Sequence, residues 1–168
     1  MSKFKEKVFI GVDPGKNGGI AILNDITGEE VAFRCPKKPE DMFVLFAAGV
    51  NGSSEDVDCF VEFVHAFPGQ GVVSTFSFGQ NLGQWEGVIA SQEVDINFVN
   101  PRKWMEHYSV PPRLQKKDRK RFLRDIAEKL FPNLKMTFNI SDALLIANYG
   151  RELYYKESLT GRGRGKKP

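Results

Sequence analysis

The stretch from Lys7 to Asp25, KVFIGVDPGKNGGIAILND, constrains the fold of this chain more than any other. Two runs rich in Val and Ile flank a Pro-Gly-Lys-Asn-Gly turn, a pattern that predicts an antiparallel hairpin closed by a tight loop. A third run, EEVAFRC, follows the Thr27-Gly28 turn, so three consecutive strands form a meander. Asp13 stands where the first strand ends. A carboxylate there either belongs to the turn, where Asp is common, or serves chemistry.

Beyond the meander the periodicity changes. PEDMFVLFAAGV (39–50) predicts a helix, with Pro39 and two acids at its start. VDCFVEFV is a fourth strand, almost wholly apolar and therefore central in the sheet. AFPGQGVVST reads as a loop. FSFGQNLGQWEGVIASQ follows as a helix whose Gly79, Gly83 and Gly87 leave one face nearly free of side chains, suited to tight packing on a sheet or another helix. DINFVNP is a fifth strand ended by Pro101. KKDRKRFLRDIAEKLFP is an amphipathic helix with Phe122, Ile126, Leu130 and Phe131 inward and its bases outward. SDALLIANYGRELYY forms a last helix, and TGRGRGKKP is a disordered tail.

The order predicts an α/β protein: a five-stranded mixed sheet, made of the three-strand antiparallel meander plus two further strands, flanked by helices. At 168 residues the chain holds one well-buried core rather than two full domains. The expected division is a single domain over 1–157 and a basic tail over 158–168.

No apolar run approaches the roughly 20 residues that cross a bilayer, and MSKFKEK leads into a strand without the apolar core of a signal peptide. The expectation is a cytoplasmic protein with no membrane contact. Cys35 and Cys59 lie in strand-like segments without a CxxC spacing, so they read as reduced core residues. The net charge is only +3, but it is unevenly spread. Between Arg102 and Lys135 eleven Lys or Arg face four acids, and from Arg151 onward six face two. An acidic first part and a basic second part point to a polyanionic partner.

Glu62 is the anomaly of the fourth strand. Burying an unpaired carboxylate costs several kcal/mol unless it finds a cation or takes up a proton. No Lys or Arg lies nearby in sequence, and a divalent metal would satisfy it. Asp13 and Asp142 each have an ordinary alternative, in a turn and at a helix N-terminus. Together with Glu62, however, acids at a strand end, a strand interior and a helix start can converge on one edge of a sheet, and hard cations take such oxygen ligands. His65 and His107 are the only histidines and form no zinc-binding pattern with the cysteines. Neither a Gly-x-Ser-x-Gly elbow nor a phosphate-binding GxxxxGK[ST] loop occurs, so no small-molecule cofactor is expected.

IGVDPGKNGGIAIL, FVEFVHAFPGQGVVSTFSFGQNLGQWEGVIAS, NPRKWMEHY with KKDRKR, and NISDALLIANYG, in that order and spacing, resemble the RuvC family of Holliday-junction resolvases, particularly its phage-type members. The resemblance runs from about Lys7 to Gly150. It implies a ribonuclease H-like fold, a homodimer, and Mg²⁺- or Mn²⁺-dependent cutting of four-way DNA junctions, with two ions per site. In phage-encoded form the place of action is the host cytoplasm. By position, Asp13, Glu62 and Asp142 match the family's catalytic and metal-binding acids. A fourth metal-binding position, usually Asp or His, is Asn139 here, three residues before Asp142. An amide oxygen is a weaker, uncharged donor, which puts the second ion in question.

Within the same resemblance, Lys116, Lys117, Arg119, Lys120 and Arg121 would neutralise phosphates of the junction arms. Phe67 or Phe76 would wedge into the crossover, or else pack in the core. His65 either assists in the site or continues the strand. Actin-like and sugar-kinase ATPases share the Asp-x-Gly turn but need a second lobe that this length does not hold. The remaining alternative is a non-catalytic module for branched DNA with a weakened metal site.

Overall fold

The computed structural model describes residues 5–63, 65–66 and 69–160. Val8–Asp13 (β1), Gly19–Asn24 (β2) and Glu29–Arg34 (β3) form the antiparallel meander. Val57–Glu62 (β4) runs parallel to β1, and Ile96–Val99 (β5) runs parallel to β4. The sheet is therefore mixed and five-stranded among the described residues, in the order β3-β2-β1-β4-β5. Helices Pro39–Val50 (α1), Val72–Ser91 (α2), Pro101–His107 (α3), Lys116–Leu130 (α4) and Ser141–Thr160 (α5) complete it.

Because side chains alternate along a strand, each central strand feeds two cores. Val8, Ile10 and Val12 of β1, with Cys59 and Val61 of β4, lie under α1 and α2, where Met42, Phe46, Trp85 and Ile89 close the layer. Phe9 and Phe60 face the other way, toward Trp104 of α3, Leu123 and Ala127 of α4, and Leu144 and Ala147 of α5. The same parity sends Asp13 and Glu62 to the α5 side. β1 and β4 are buried on both faces, as central strands with parallel pairing must be.

Two glycines set how closely α5 approaches. A Cβ at Gly11 would fall on the Ala143 carbonyl and the Ala147 amide, and one at Gly150 would fall on the Phe60 ring. Only hydrogen fits at either contact. At its far side α5 is tied to the β2–β3 turn, where Arg151 reaches Asp25 at 3.3 Å and the Tyr155 hydroxyl donates to Asp25 at 2.7 Å.

Several local expectations need correction. The face of α2 carrying Gly79, Gly83 and Gly87 is open among the described residues: a Cβ at any of the three meets no atom within 4 Å. The helix is held instead by Trp85, Val88 and Ile89. It also begins at Val72, four residues before the expected start, since the β-branched Val72, Val73 and Thr75 hid a turn opened by the Thr75 N–H bonded to Gly71 O. On α4 Leu123 and Ala127 are buried, Phe122 and Ile126 pack against the same core and Phe131 is buried just past the helix end, while Leu130 is exposed. α5 continues past Tyr155 to Thr160.

The helix α3 was not expected. Pro101 ends β5, yet Asn100-Pro101 is also a helix start: Pro occupies the first position, and the Asn100 side chain accepts from Arg102 N at 2.9 Å. Cys35 and Cys59 are both buried and free. None of the described helices is long and apolar enough to cross a membrane.

Candidate active site

The β1–β4 register pairs Val12 with Val61, which sets Asp13 and Glu62 next to each other where the two parallel strands end. The carboxyl ends of parallel strands are the usual place for a site in an open α/β sheet, because the chain leaves the sheet there in loops. Asp142 arrives from above as the second residue of α5, delivered by the close contact at Gly11. All three line one cleft of about 1620 Å³. Its walls are the β1–β2 loop, the end of β3, the first half of α2, Trp104 of α3, and one face of α4.

Each of these acids keeps some surface open to the cleft, but burial is the strongest influence on its carboxyl. Burial raises Asp13 well above the carboxylate range, reinforced by the negative charges of Glu62 and Asp142. Glu62 is pushed up to about 7, again first by burial, with a hydrogen bond from Trp104 working against the shift. Asp142 is raised by burial and pulled back by Lys120 and Arg119. Asp13 and Glu62 lie close enough to influence each other's carboxyl, so the two take up protons as a pair. Among the described residues no Lys or Arg comes within ion-pair distance of any of the three.

A group of buried acids with no cation in contact must hold protons or recruit positive charge. The donor set is all oxygen and up to three charges negative, which suits a hard divalent ion. It is not a finished cage: among the described residues no group of three or more His, Cys, Asp or Glu side chains stands close enough to hold an ion. The donors thus fit such a cation in type and charge, and their side chains must draw together to bind it.

The expected residues divide. His65 lines the cleft, exposed, with its ring edge-on to Phe63 at 4.3 Å. Lys116, Arg119 and Lys120 line it too, one stripe of α4 at helical spacing, whereas Lys117 and Arg121 lie outside the lining. Asn139 also lies outside it, in the turn before α5 rather than on the helix. Its side-chain amide donates to Asn17 O at 2.8 Å and so fastens the β1–β2 loop. Phe76 is exposed, and Phe67 falls outside the described residues.

Two further residues contribute to the site. Trp104 donates its indole N–H to Glu62 Oε1 at 3.0 Å. Asn81 of α2 accepts from Gly15 N at 2.7 Å, joining the loop after Asp13 to the opposite wall. For Trp104 the Asn-Pro helix start was the available signal, since it places residue 104 one turn into a helix leaving the edge of the site. Nothing local marks Asn81.

No family model and no curated protein sequence matches the chain. Solved structures do. The chain is similar to Thermus thermophilus RuvC at 15% identity with a TM-score of 0.56, over 88% of this chain and 97% of that one. It is also similar to T. thermophilus RuvC in complex with Holliday junction substrate, at 17% identity and a TM-score of 0.59, over 93% and 97% of the two chains. The fold is RuvC-like, of the ribonuclease H type.

Proposed function

We propose that this protein is a structure-selective DNA endonuclease that resolves four-way junctions by divalent-metal-dependent phosphodiester hydrolysis, acting as a homodimer in phage DNA recombination or processing in the host cytoplasm. One observation carries the reading: Asp13, Glu62 and Asp142 converge, with no cation in contact among the described residues, in a cleft walled by Lys116, Arg119 and Lys120. The neighbour bound to a Holliday junction supports the choice of substrate.

Mg²⁺ or Mn²⁺, when bound, supplies activation of the attacking water and stabilisation of the leaving 3′ oxygen. Asp13, Glu62 and Asp142 are the residues to hold it, with Asn139 as a neutral fourth donor if the turn before α5 moves inward. Lys116, Arg119 and Lys120 neutralise the phosphates flanking the scissile bond, and Lys117 and Arg121 meet the backbone farther out along an arm. His65, which lines the cleft, would exchange a proton with the water or the departing strand. Phe67 or the exposed Phe76 would wedge at the crossover, where unstacking is easiest.

Paired cuts need two sites related by a two-fold axis. The open glycine face of α2 is the surface on which two copies can approach closely, and it lies beside the cleft.

The test is a labelled mobile four-way junction incubated with Mg²⁺ beside duplex and flap controls. Paired nicks in the junction are expected, and Asp13→Asn or Glu62→Gln should abolish them. Cutting by either variant at the wild-type rate would overturn the assignment. The open spacing of the acids favours one rival, a non-catalytic binder of branched DNA, and that reading requires junction binding without any nicking.

A further inference from the structure

Trp104 is 1% exposed, and its indole N–H ends on one oxygen of the carboxylate at the heart of the cleft. Filling the core between α3, α4 and α5 needs a large apolar side chain but not an N–H; Leu or Phe would supply the same burial. Buried indole N–H groups usually find an acceptor, and whereas Trp85 has none among the described residues, Trp104 has Glu62 Oε1 at 3.0 Å. The last torsion of a Glu side chain is broad and roughly two-fold, so an unrestrained Glu62 carboxylate would turn freely. The indole fixes that torsion and commits Oε1, leaving Oε2.

The donor is itself held in place. Asn100 caps the helix that carries it, accepting from Arg102 N at 2.9 Å. The Trp104 ring lies edge-on to Tyr108 with centroids 6.5 Å apart. The Tyr108 hydroxyl in turn donates to Leu145 O at 2.9 Å, on the same helix as Asp142 and one turn along it. α3 therefore links Glu62 to the element bearing Asp142.

We propose that Trp104 is a positioning residue: its N–H occupies Glu62 Oε1 and orients the carboxylate so that Oε2 is offered to the divalent cation. This rests on the cleft being a divalent-cation site. Partners that hydrogen-bond a metal-ligating side chain typically account for about 10–100-fold in metal affinity or activity.

The experiment titrates Mn²⁺ into the full chain without DNA, by calorimetry, for wild type, Trp104→Phe, Glu62→Gln and the double variant. Trp104→Phe is expected to weaken Mn²⁺ about 10-fold or more, and to add nothing once Glu62 is Gln. A second measurement does not depend on Trp104→Phe folding. The chain has two tryptophans, and Trp85 lies in the opposite core, so Trp85→Phe leaves Trp104 as sole emitter. Its fluorescence should be quenched by Mn²⁺ with the calorimetric midpoint, and Glu62→Gln should shift that midpoint equally. Wild-type affinity in a folded Trp104→Phe, or Trp104 emission indifferent to saturating Mn²⁺, overturns the inference. If wild type binds and Glu62→Gln does not, while Trp104→Phe binds normally, the positioning role alone fails. If wild type takes up no Mn²⁺, both this inference and the cation site fail.

Discussion

Ionising Asp13, Glu62 and Asp142 inside one cleft is unfavourable, and its cost has a sign that can be measured. Burial holds the native carboxyls above their ordinary range, with Glu62 moving from 4.5 to about 7. Between those values the folded protein binds more protons than the unfolded chain, so stability is highest below the unfolded value and falls as pH rises through the folded one. Scanning calorimetry of the metal-free protein should show the melting temperature dropping between about pH 5 and pH 7.5. Glu62→Gln should flatten that slope, and Mg²⁺ should restore the loss near neutrality. A melting temperature rising over this window would mean the acids are not held as described. Asn139→Asp adds a charged donor at the edge of the same site and is expected to tighten Mn²⁺ binding; unchanged affinity would leave Asn139 only its bond to Asn17. Gly11→Ala would drive a Cβ into the backbone of α5, and thermal denaturation should register a loss at the upper end of the roughly 1–3 kcal/mol typical of overpacking. Glu62 could be singled out beforehand because an acid inside an apolar strand contradicts its surroundings. For Trp104 the Asn-Pro helix start gives its place but not its bond, because an indole bonded to a carboxylate and one merely packed in a core look alike in sequence.

At the scale of elements, α4 presents two basic surfaces, one to the cleft and one away from it. Lys116, Arg119 and Lys120 face the cleft, while Lys117 and Arg121 do not. Each phosphate contact adds about 0.9 to the slope of log affinity against log salt. Replacing the three cleft-facing cations by Gln should reduce the slope for junction binding by roughly 2–3, by fluorescence anisotropy across a salt series. The Lys117–Arg121 pair should give a smaller change, and equal changes would dissolve the distinction. The boundaries of α1 were readable to the residue because its Pro and acidic first turn mark the start, and an Asn follows the end. On α4 Phe122 and Ile126, with Phe131 just past its end, pack inward as their spacing predicts, and Leu130 of the last turn faces solvent. α3 was hidden by the double meaning of Asn-Pro, which ends a strand and opens a helix in the same two residues.

At the scale of the whole molecule, the site is a product of topology. The meander places β1 beside β4, their parallel register aligns Asp13 with Glu62, and two glycines let α5 bring Asp142 down onto both. The strand sequence and the acids were legible in the letters; the spacing of the acids was not, since it depends on how α5 lies across the sheet. Among the described residues a Cβ at Gly83 of α2 meets no atom within 4 Å. If the proposed homodimer forms across this face, Gly83→Leu should convert dimer to monomer in sedimentation velocity. An undisturbed dimer would move the two-fold contact elsewhere. The most direct measurement is anomalous diffraction from crystals soaked in Mn²⁺: peaks are predicted between Asp13, Glu62 and Asp142, whereas an empty cleft beside occupied sites elsewhere would contradict the account.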